Sequence, residues 1–559
     1  MKTMEEHLHL RNSGVAVSEG TPTTVTIADG TLEGVINSHN DQRHFLGIPF
    51  AAPPVDDLRW KAPQPEAAWE GTFNATRFGN SCMQSFSAFT IGSTISEDCL
   101  YLNVFAPPVE DSSNLPVLLF FYGGSWDSGS ATCPLYLGQH VVGDSHEDVI
   151  LVTANYRLNV FGFMGGDASR DQDAGGTTAN WGLLDQRRSM TWVKENIAAF
   201  GGNPDSITIF GESAGAGSVA THLVSKGSYA APNGPLFHRA GMESGSPATP
   251  WNSQNMSYAE TRFSRVAKNV GCQAADSTAM VDDEVYQCMR SLNSSQLYAG
   301  KHGVGGLFLD WSPVEDGVAL MDQPRNLLAE GDYATNVTIL LGTNADEGSL
   351  FVDISYDANE TEYEAYITQI LGPELGALCM AEYPYADYNG TEDGKVAGHG
   401  GYWATVRGIG DAVFSCPARR TARAFSQTSG AFVYFYNHTL ALIDDVEPLD
   451  PEDVDPLGVF HGSELIMVFD FEVALLTDEE TALGEMVSGA WSTFALSSNP
   501  NSGDEDWPIY NTTTDQVMVL ATANGPVPPG PMSGLKSDKC DFWDQNPIPP
   551  WVMFGTPDF

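Results

Sequence analysis

The sequence predicts an α/β architecture: a large, mostly parallel central sheet flanked by helices, with helical insertions capping one edge. Three observations point that way. Short apolar runs recur without polar alternation, helical stretches lie between them, and two long insertions are rich in helix formers. The runs are Pro116–Tyr122 (PVLLFFY), Val149–Ala154 (VILVTA), Ser206–Phe210 (SITIF), Val337–Leu341 (VTILL) and Ala431–Tyr436 (AFVYFY). A strand covered on both faces needs apolar side chains on both, so an unbroken run marks a buried strand of a parallel sheet. Trp181–Asn196 and Ala214–Ser225 read as intervening helices, and the alternation is that of a doubly wound fold. Near the N-terminus TVTIADGTLEGVIN alternates and holds a turn, which predicts an antiparallel edge hairpin. Insertions after Gly245 and Gly348 are expected to cap the carboxyl edge of the sheet, where such sheets place ligands. With no separating linker, residues 16–559 are expected to form one domain, and residues 1–15 a disordered or appended tail.

Composition narrows the function. The chain has 72 acidic and 26 basic residues, a formal net charge of -46. A field of that sign repels phosphate backbones and anionic lipid, so no nucleic-acid partner is expected. Hydrophobic residues make up 42% of the chain, enough for a substantial core. No apolar run approaches the roughly 20 residues that span a bilayer, and no integral membrane association is expected. None of the eight cysteines forms a CxxC pair, so zinc and thioredoxin-type redox sites lack their spacing, and no metal or cofactor is expected. Sequons occur at Asn74, Asn255, Asn293, Asn336, Asn359, Asn389, Asn437 and Asn511, candidates for glycosylation. With the even cysteine count they suggest a secreted, extracellular protein. MKTMEEHLHLRNSG lacks the apolar region of a signal peptide, so the leader is expected to be absent from this chain.

Gly211-Glu212-Ser213-Ala214-Gly215 matches G-x-S-x-G. Among 56 glycines the match alone says little; its setting says more. SITIF supplies a strand before it and AGAGSVATHLVS a helix after it, and the small residues suit the sharp bend between them. Such a bend raises Ser213 above the sheet at a helix N-terminus, which favours developing negative charge. A serine hydroxyl needs a base, and the base needs orienting by a third group. On sheets of this kind the acid and then the histidine follow the serine in the chain. Of His399, His438 and His461, the last follows an apolar Gly-Val-Phe and begins HGSELIMVF, the context expected of a base at the sheet's rim. Two acids compete, Glu347 and Asp346, both just past the strand VTILL. Oxyanion donors are expected from the Ala214 amide and from Gly123-Gly124-Ser125-Trp126, into which PVLLFFY runs. A histidine base predicts a rate that falls on acidification.

These stretches together resemble the type B carboxylesterase/lipase family, which includes cholinesterases and large fungal lipases. FLGIPFAAPPVDDLRWKAPQP from Phe45, SEDCLYLNV from Ser96, FYGGSWDSG from Phe121 and NWGLLDQR from Asn180 look like its signatures. So do FGGNPDSITIFGESAGAGS from Phe200, ESGSP from Glu243, TNADEGS from Thr343 and VFHGSEL from Val459. The resemblance implies an α/β-hydrolase fold and a secreted fungal carboxylesterase with the triad Ser213, Glu347 and His461. It implies oxyanion donors at Gly124, Ser125 and Ala214, with Glu212 and Ser244 close behind the triad. Ser125 stands where the family more often has a third glycine. Disulfides Cys82–Cys99, Cys272–Cys288 and Cys416–Cys540 are implied, with Cys133 and Cys379 unassigned. Trp251, Leu307 and Leu309 fall where the family builds its acyl pocket, and Trp126 is expected to line the same space.

Two departures bear on the expected substrate. The Cys82–Cys99 loop is short compared with the lid of family lipases, and it lacks the tryptophan with which cholinesterases hold a quaternary ammonium. Soluble or moderately apolar small-molecule esters are therefore expected, with Phe86 and Phe89 at an apolar entrance. A lipase or sterol esterase is the first alternative. A non-catalytic adhesion protein on the same fold is the second, against which the retained serine and histidine argue, and an amidase is a distant third.

Overall fold

The computed structural model describes residues 20–548 apart from 39, 109–113, 139–140, 143–148, 174, 302–310, 391–397, 441–456, 472–475, 502–505 and 524–526. The expected N-terminal tail, residues 1–15, lies outside the described residues. β1 (Gly20–Ile27) and β2 (Gly30–Asn37) form the expected hairpin, and β3 (Arg43–Pro49) and β4 (Tyr101–Ala106) extend it antiparallel. The parallel block comprises β5 (Leu115–Phe121), β6 (Ile150–Ala154), β7 (Gly202–Glu212), β8 (Arg239–Glu243), β9 (Thr338–Asn344), β10 (Ala431–Tyr436) and β11 (Gln516–Leu520). β12 (Gly530–Ser533) closes the sheet antiparallel.

Across the sheet the order is β1-β2-β3-β4-β6-β5-β7-β8-β9-β10-β11-β12, with the short strand Thr72–Asn74 pairing off β2. The chain leaves β5 in one direction, to β6, and leaves the neighbouring β7 in the other, to β8. Loops after β5 and β7 therefore diverge and open a crevice at their carboxyl ends, the place where such sheets bind ligands. Phe121 of β5 pairs with Gly211 of β7, so the Gly123–Trp126 loop and the Ser213 bend start side by side. The fold is a mixed, mostly parallel sheet with flanking helices, that of an α/β-hydrolase.

The apolar runs mark the centres of strands better than their ends. SITIF is the middle of β7, which begins at Gly202 beside Leu115 and shifts register before Ile207. β8 (RAGME) carries an arginine, a glycine and a glutamate, yet Ala240–Glu243 are buried. Its burial comes from the elements packed on it, which a hydrophobicity pattern does not register.

Helices α1 (Trp181–Asn196) and α2 (Ala214–Val224) match the expected stretches to within a residue, and α2 is buried along its whole length. The insertion after β8 forms Met256–Asn269, Asp283–Arg290, Ser294–Ala299 and α3 (Pro324–Glu330). The one after β9 includes Glu360–Leu371, α4 (Gly400–Gly410), a π-helical turn at Asp411–Ser415 and α5 (Cys416–Phe425). Both leave from carboxyl ends of parallel strands. α6 (Asp478–Ser497) and α7 (Ser537–Gln545) follow. Among the described residues no helix is long and apolar enough to cross a membrane.

Disulfides join Cys82 to Cys99, Cys272 to Cys288 and Cys416 to Cys540. Cys133 and Cys379 are buried free thiols, each pushed up to about 12 by desolvation. Three sequon asparagines, Asn255, Asn293 and Asn359, are helix N-caps that accept backbone N–H bonds through Oδ1. Asn437 is only 5% exposed, which leaves no room for a glycan in this fold.

A buried ion pair ties α1 to the loop after β6. The Arg157 guanidinium donates to both Asp185 oxygens at 2.7 Å, and the Arg157 amide adds a third bond at 3.0 Å. Burial pushes the Asp185 carboxyl upward, and Arg157 opposes it. Removing one partner strands the other charge, so Asp185→Ala is expected to cost about 3–5 kcal/mol. Chemical denaturation should register the loss, and an unchanged midpoint would contradict the reading.

Candidate active site

Ser213 stands at the junction of β7 and α2 with φ 57° and ψ -123°. A left-handed φ on a non-glycine residue is uncommon and held only by its surroundings. The flanking glycines explain how the bend fits. A Cβ at Gly211 or Gly215 would run into the Phe121 carbonyl, and one at Gly123 would meet Glu212 Oε2 at 2.7 Å. The Ser213 bend and the β5 loop thus pack backbone to backbone. Ser213 N donates to Glu243 O of β8 at 2.9 Å, which fixes the bend to its other neighbour.

The β5 loop holds three successive residues at positive φ: Gly124 (102°), Ser125 (58°) and Trp126 (54°). Asp127 N and Ser128 N both donate to Gly124 O at 3.0 Å, and the amides of Gly124 and Ser125 make no such turn bond. The Ala214 amide is the first of its helix and has no intrahelical acceptor. These three donors, with the α2 dipole behind one of them, make a cradle for negative charge.

His461 is carried by the segment after Val459, and its Nδ1 lies 2.6 Å from Glu347 Oε2. Glu347, fully buried just past β9, accepts at Oε1 from Ser244 Oγ (2.6 Å) and Asn344 N (2.7 Å). Asp346 points elsewhere. It accepts from Val459 N at 3.0 Å and pairs with Arg407 at 3.0 Å, so its role is to pin the histidine loop. His438 pairs with Glu480 at 2.9 Å, and His399 stacks on Tyr356.

On its far side His461 Nε2 lies 3.1 Å from Glu212 Oε1, but without the direction of a hydrogen bond, since both atoms lack a bonded partner. Distance alone does not make the bond. Nε2, near the Ser213 bend, is therefore uncommitted. Ser213 is only 7% exposed, and its Oγ makes no hydrogen bond to Nε2.

Four carboxyls crowd this region: Glu212, Glu243, Glu347 and Glu464. Burial, then the charge of Glu347, pushes Glu212 well above the usual carboxylate range. Burial, then Glu212, Glu347 and Glu243, does the same to Glu464, against a bond from Asn344. Like charges this close in a low dielectric do not all ionise. Glu347 is hydrogen-bonded to His461, Ser244 and Asn344.

Glu243 is pushed up to about 8 by burial and Glu212, against a bond from Trp491 Nε1. Its folded value lies above its ordinary one of 4.5, so the native state keeps a proton that the unfolded chain releases. The contribution of Glu243 to stability should fall as pH rises from about 4.5 to about 8. Glu243→Gln removes that proton linkage, and its stability relative to wild type is expected to rise through this window, measured by denaturation across pH. A constant difference would place the proton elsewhere.

Aromatic rings wall the histidine. Phe351 and Phe414 lie 4.9 and 4.8 Å from the His461 ring, and Trp251 packs on both, at 5.6 and 4.7 Å. Trp251 is thus beside the site. Trp126, expected to line a pocket, is instead sealed in the core, where its indole donates to Ser218 Oγ at 3.0 Å. Its correction is steric: the positive φ turns the ring under the loop, against Gly217 of α2. Leu307 and Leu309 lie outside the described residues. Phe86 is 70% exposed and Phe89 37%.

Sequence reasoning missed Glu243, Glu464, Phe351, Phe414 and Trp491. Glu464 follows His461 by three residues and Phe351 follows Glu347 by four, so proximity along the chain was a usable signal for those two. Trp491 and Phe414 carried none.

A sequence profile of the Carboxylesterase family matches residues 21–543. The chain belongs to the carboxylesterase family. It is also 33% identical over 531 residues to a cholinesterase of Mus musculus, covering 89% of this chain and 82% of that one. This carboxylesterase is accordingly a serine hydrolase of carboxylic esters, and its substrates are small-molecule esters.

Proposed function

We propose that Ser213, Glu347 and His461 form the catalytic triad, and that the enzyme cleaves soluble or moderately apolar esters through an acyl-enzyme. The observation that carries this is the 2.6 Å bond between His461 Nδ1 and Glu347 Oε2, which leaves Nε2 free near the strained Ser213 bend. His461 Nε2 takes the Ser213 proton as Oγ attacks the ester carbonyl. The amides of Gly124, Ser125 and Ala214 receive the oxyanion. The proton then passes from His461 to the departing alkoxide, and water repeats the sequence on the acyl-enzyme. Burial, then the charge of Glu347, pushes Glu212 upward, which disfavours a second negative charge beside the oxyanion.

Treatment with a fluorophosphonate followed by peptide mass spectrometry tests the assignment. An adduct on the Ser213 peptide is expected; labelling elsewhere with Ser213 untouched would overturn it. The exposed Phe86, on the Cys82–Cys99 loop, supports a second reading, a lipase that meets lipid through this loop. Nitrophenyl esters of increasing chain length, with and without micelles, separate the two. Preference for short soluble esters supports the first reading, and activation by micelles the second. Three disulfides and exposed sequons support an exported protein.

A further inference from the structure

A cavity of about 360 Å³ lies between α3, α5 and α7, and none of the triad or oxyanion residues lines it. That volume is in the range of small-molecule pockets. Two guanidiniums line it, those of Arg325 and Arg420. Arg420 pairs with Asp544 and donates to Trp543 O at 3.2 Å, and Asp544 also takes Arg423 at 3.3 Å. One carboxylate thus serves two cations. Arg325 forms no hydrogen bond or close ion pair among the described residues. Burial pulls it below its usual value; Glu315 and Asp322 oppose this through longer-range attraction, while Arg420 adds to it. Glu315 is itself engaged by Ser253 at 3.1 Å. Among the lining side chains two are cationic and one, Asp544, is anionic. The remaining wall is largely apolar, with Pro250, Leu328, Trp543 and Ile548.

A guanidinium matches a carboxylate in two parallel hydrogen bonds, and a second cation nearby strengthens the hold. The apolar wall suits a hydrocarbon body rather than a bare inorganic anion. We propose that this cavity is a second binding site for an amphipathic organic carboxylate, its head on Arg325 and Arg420 and its body against Leu328, Trp543 and Ile548. Two wall segments lead back to the active site. Ala412 belongs to the turn that carries Phe414, and Ala248 and Pro250 to the stretch that ends in Trp251. The ligand class is that of the acid released from an ester. A role in responding to that product rests on the esterase reading, whereas the binding does not.

Octanoate titrated calorimetrically into the full chain carrying Ser213→Ala tests the binding, with octan-1-ol and inorganic phosphate as companions. Saturable octanoate binding is expected, weakened about tenfold or more by Arg325→Gln, since a charge-assisted bond is lost. Asn326→Asp, at an exposed position on the rim, should weaken it too by adding a like charge. Octanol and phosphate should each bind about tenfold or more weakly than octanoate. Octanoate binding that both variants leave unchanged overturns the site. Phosphate or octanol binding as tightly as octanoate overturns the amphipathic ligand. If Ser213 resists the fluorophosphonate while octanoate binding behaves as described, the triad assignment fails and this site stands.

Discussion

Ser213→Ala is expected to fold as the wild type does and to lose about 10⁶ in kcat. The substitution removes one oxygen from a side chain that makes no recorded structural hydrogen bond, while the backbone bond from Ser213 N to Glu243 O persists. Alanine carries the same Cβ, so it inherits the same left-handed φ of 57° at similar cost. Stability should therefore hardly move. Activity should, because no other hydroxyl is raised at this bend. A residual rate about 10³–10⁴ above water is expected from the oxyanion donors and binding alone. Steady-state hydrolysis of a nitrophenyl ester, paired with a thermal melt, checks both halves. Ordinary turnover by this variant would place the nucleophile elsewhere.

Glu347→Gln should lower kcat by about 10⁴ with little change in shape. Two donors, Ser244 Oγ and Asn344 N, face Glu347 Oε1, while one, His461 Nδ1, faces Oε2. A glutamine offers one acceptor oxygen and one donor nitrogen. Its oxygen best serves the side with two donors, which turns the NH₂ toward Nδ1. The imidazole must then place its proton on Nε2, where it cannot accept from Ser213. The loss comes from the wrong tautomer rather than from disorder. Asp346→Asn is the control: Asp346 serves Arg407 and Val459 N, so it should reduce stability more than kcat. Equal losses of kcat in the two variants would sink the assignment of Glu347 as the orienting acid.

Much of this arrangement was legible along the chain because its parts are local. The glycines around Ser213 are required by the Phe121 carbonyl, and a bend between a buried strand and a helix leaves a short, readable trace. PVLLFFY, VTILL and AFVYFY were readable as strands because burial on both faces demands continuous apolarity. β8 was not, because RAGME owes its burial to its neighbours. Glu347 and Asp346 could not be separated by pattern, since adjacent carboxylates differ only in where the turn after β9 points them. Trp126 misled because an aromatic in the glycine-rich loop after β5 looks exposed in sequence, while its φ of 54° folds it inward.

By itself, then, the sequence determined the sheet-and-helix class, the bend that carries Ser213, the family and the chain order of the three residues proposed as the triad, all properties of short segments. Tertiary structure decided which carboxylate reaches His461, which glutamates share its buried surroundings, and that two arginines on separate helices meet in one cavity. These depend on segments far apart along the chain, such as Glu347 and His461 (separation 114). Their encounter is set by how helices and loops pack over the sheet, and packing direction leaves no mark in local composition.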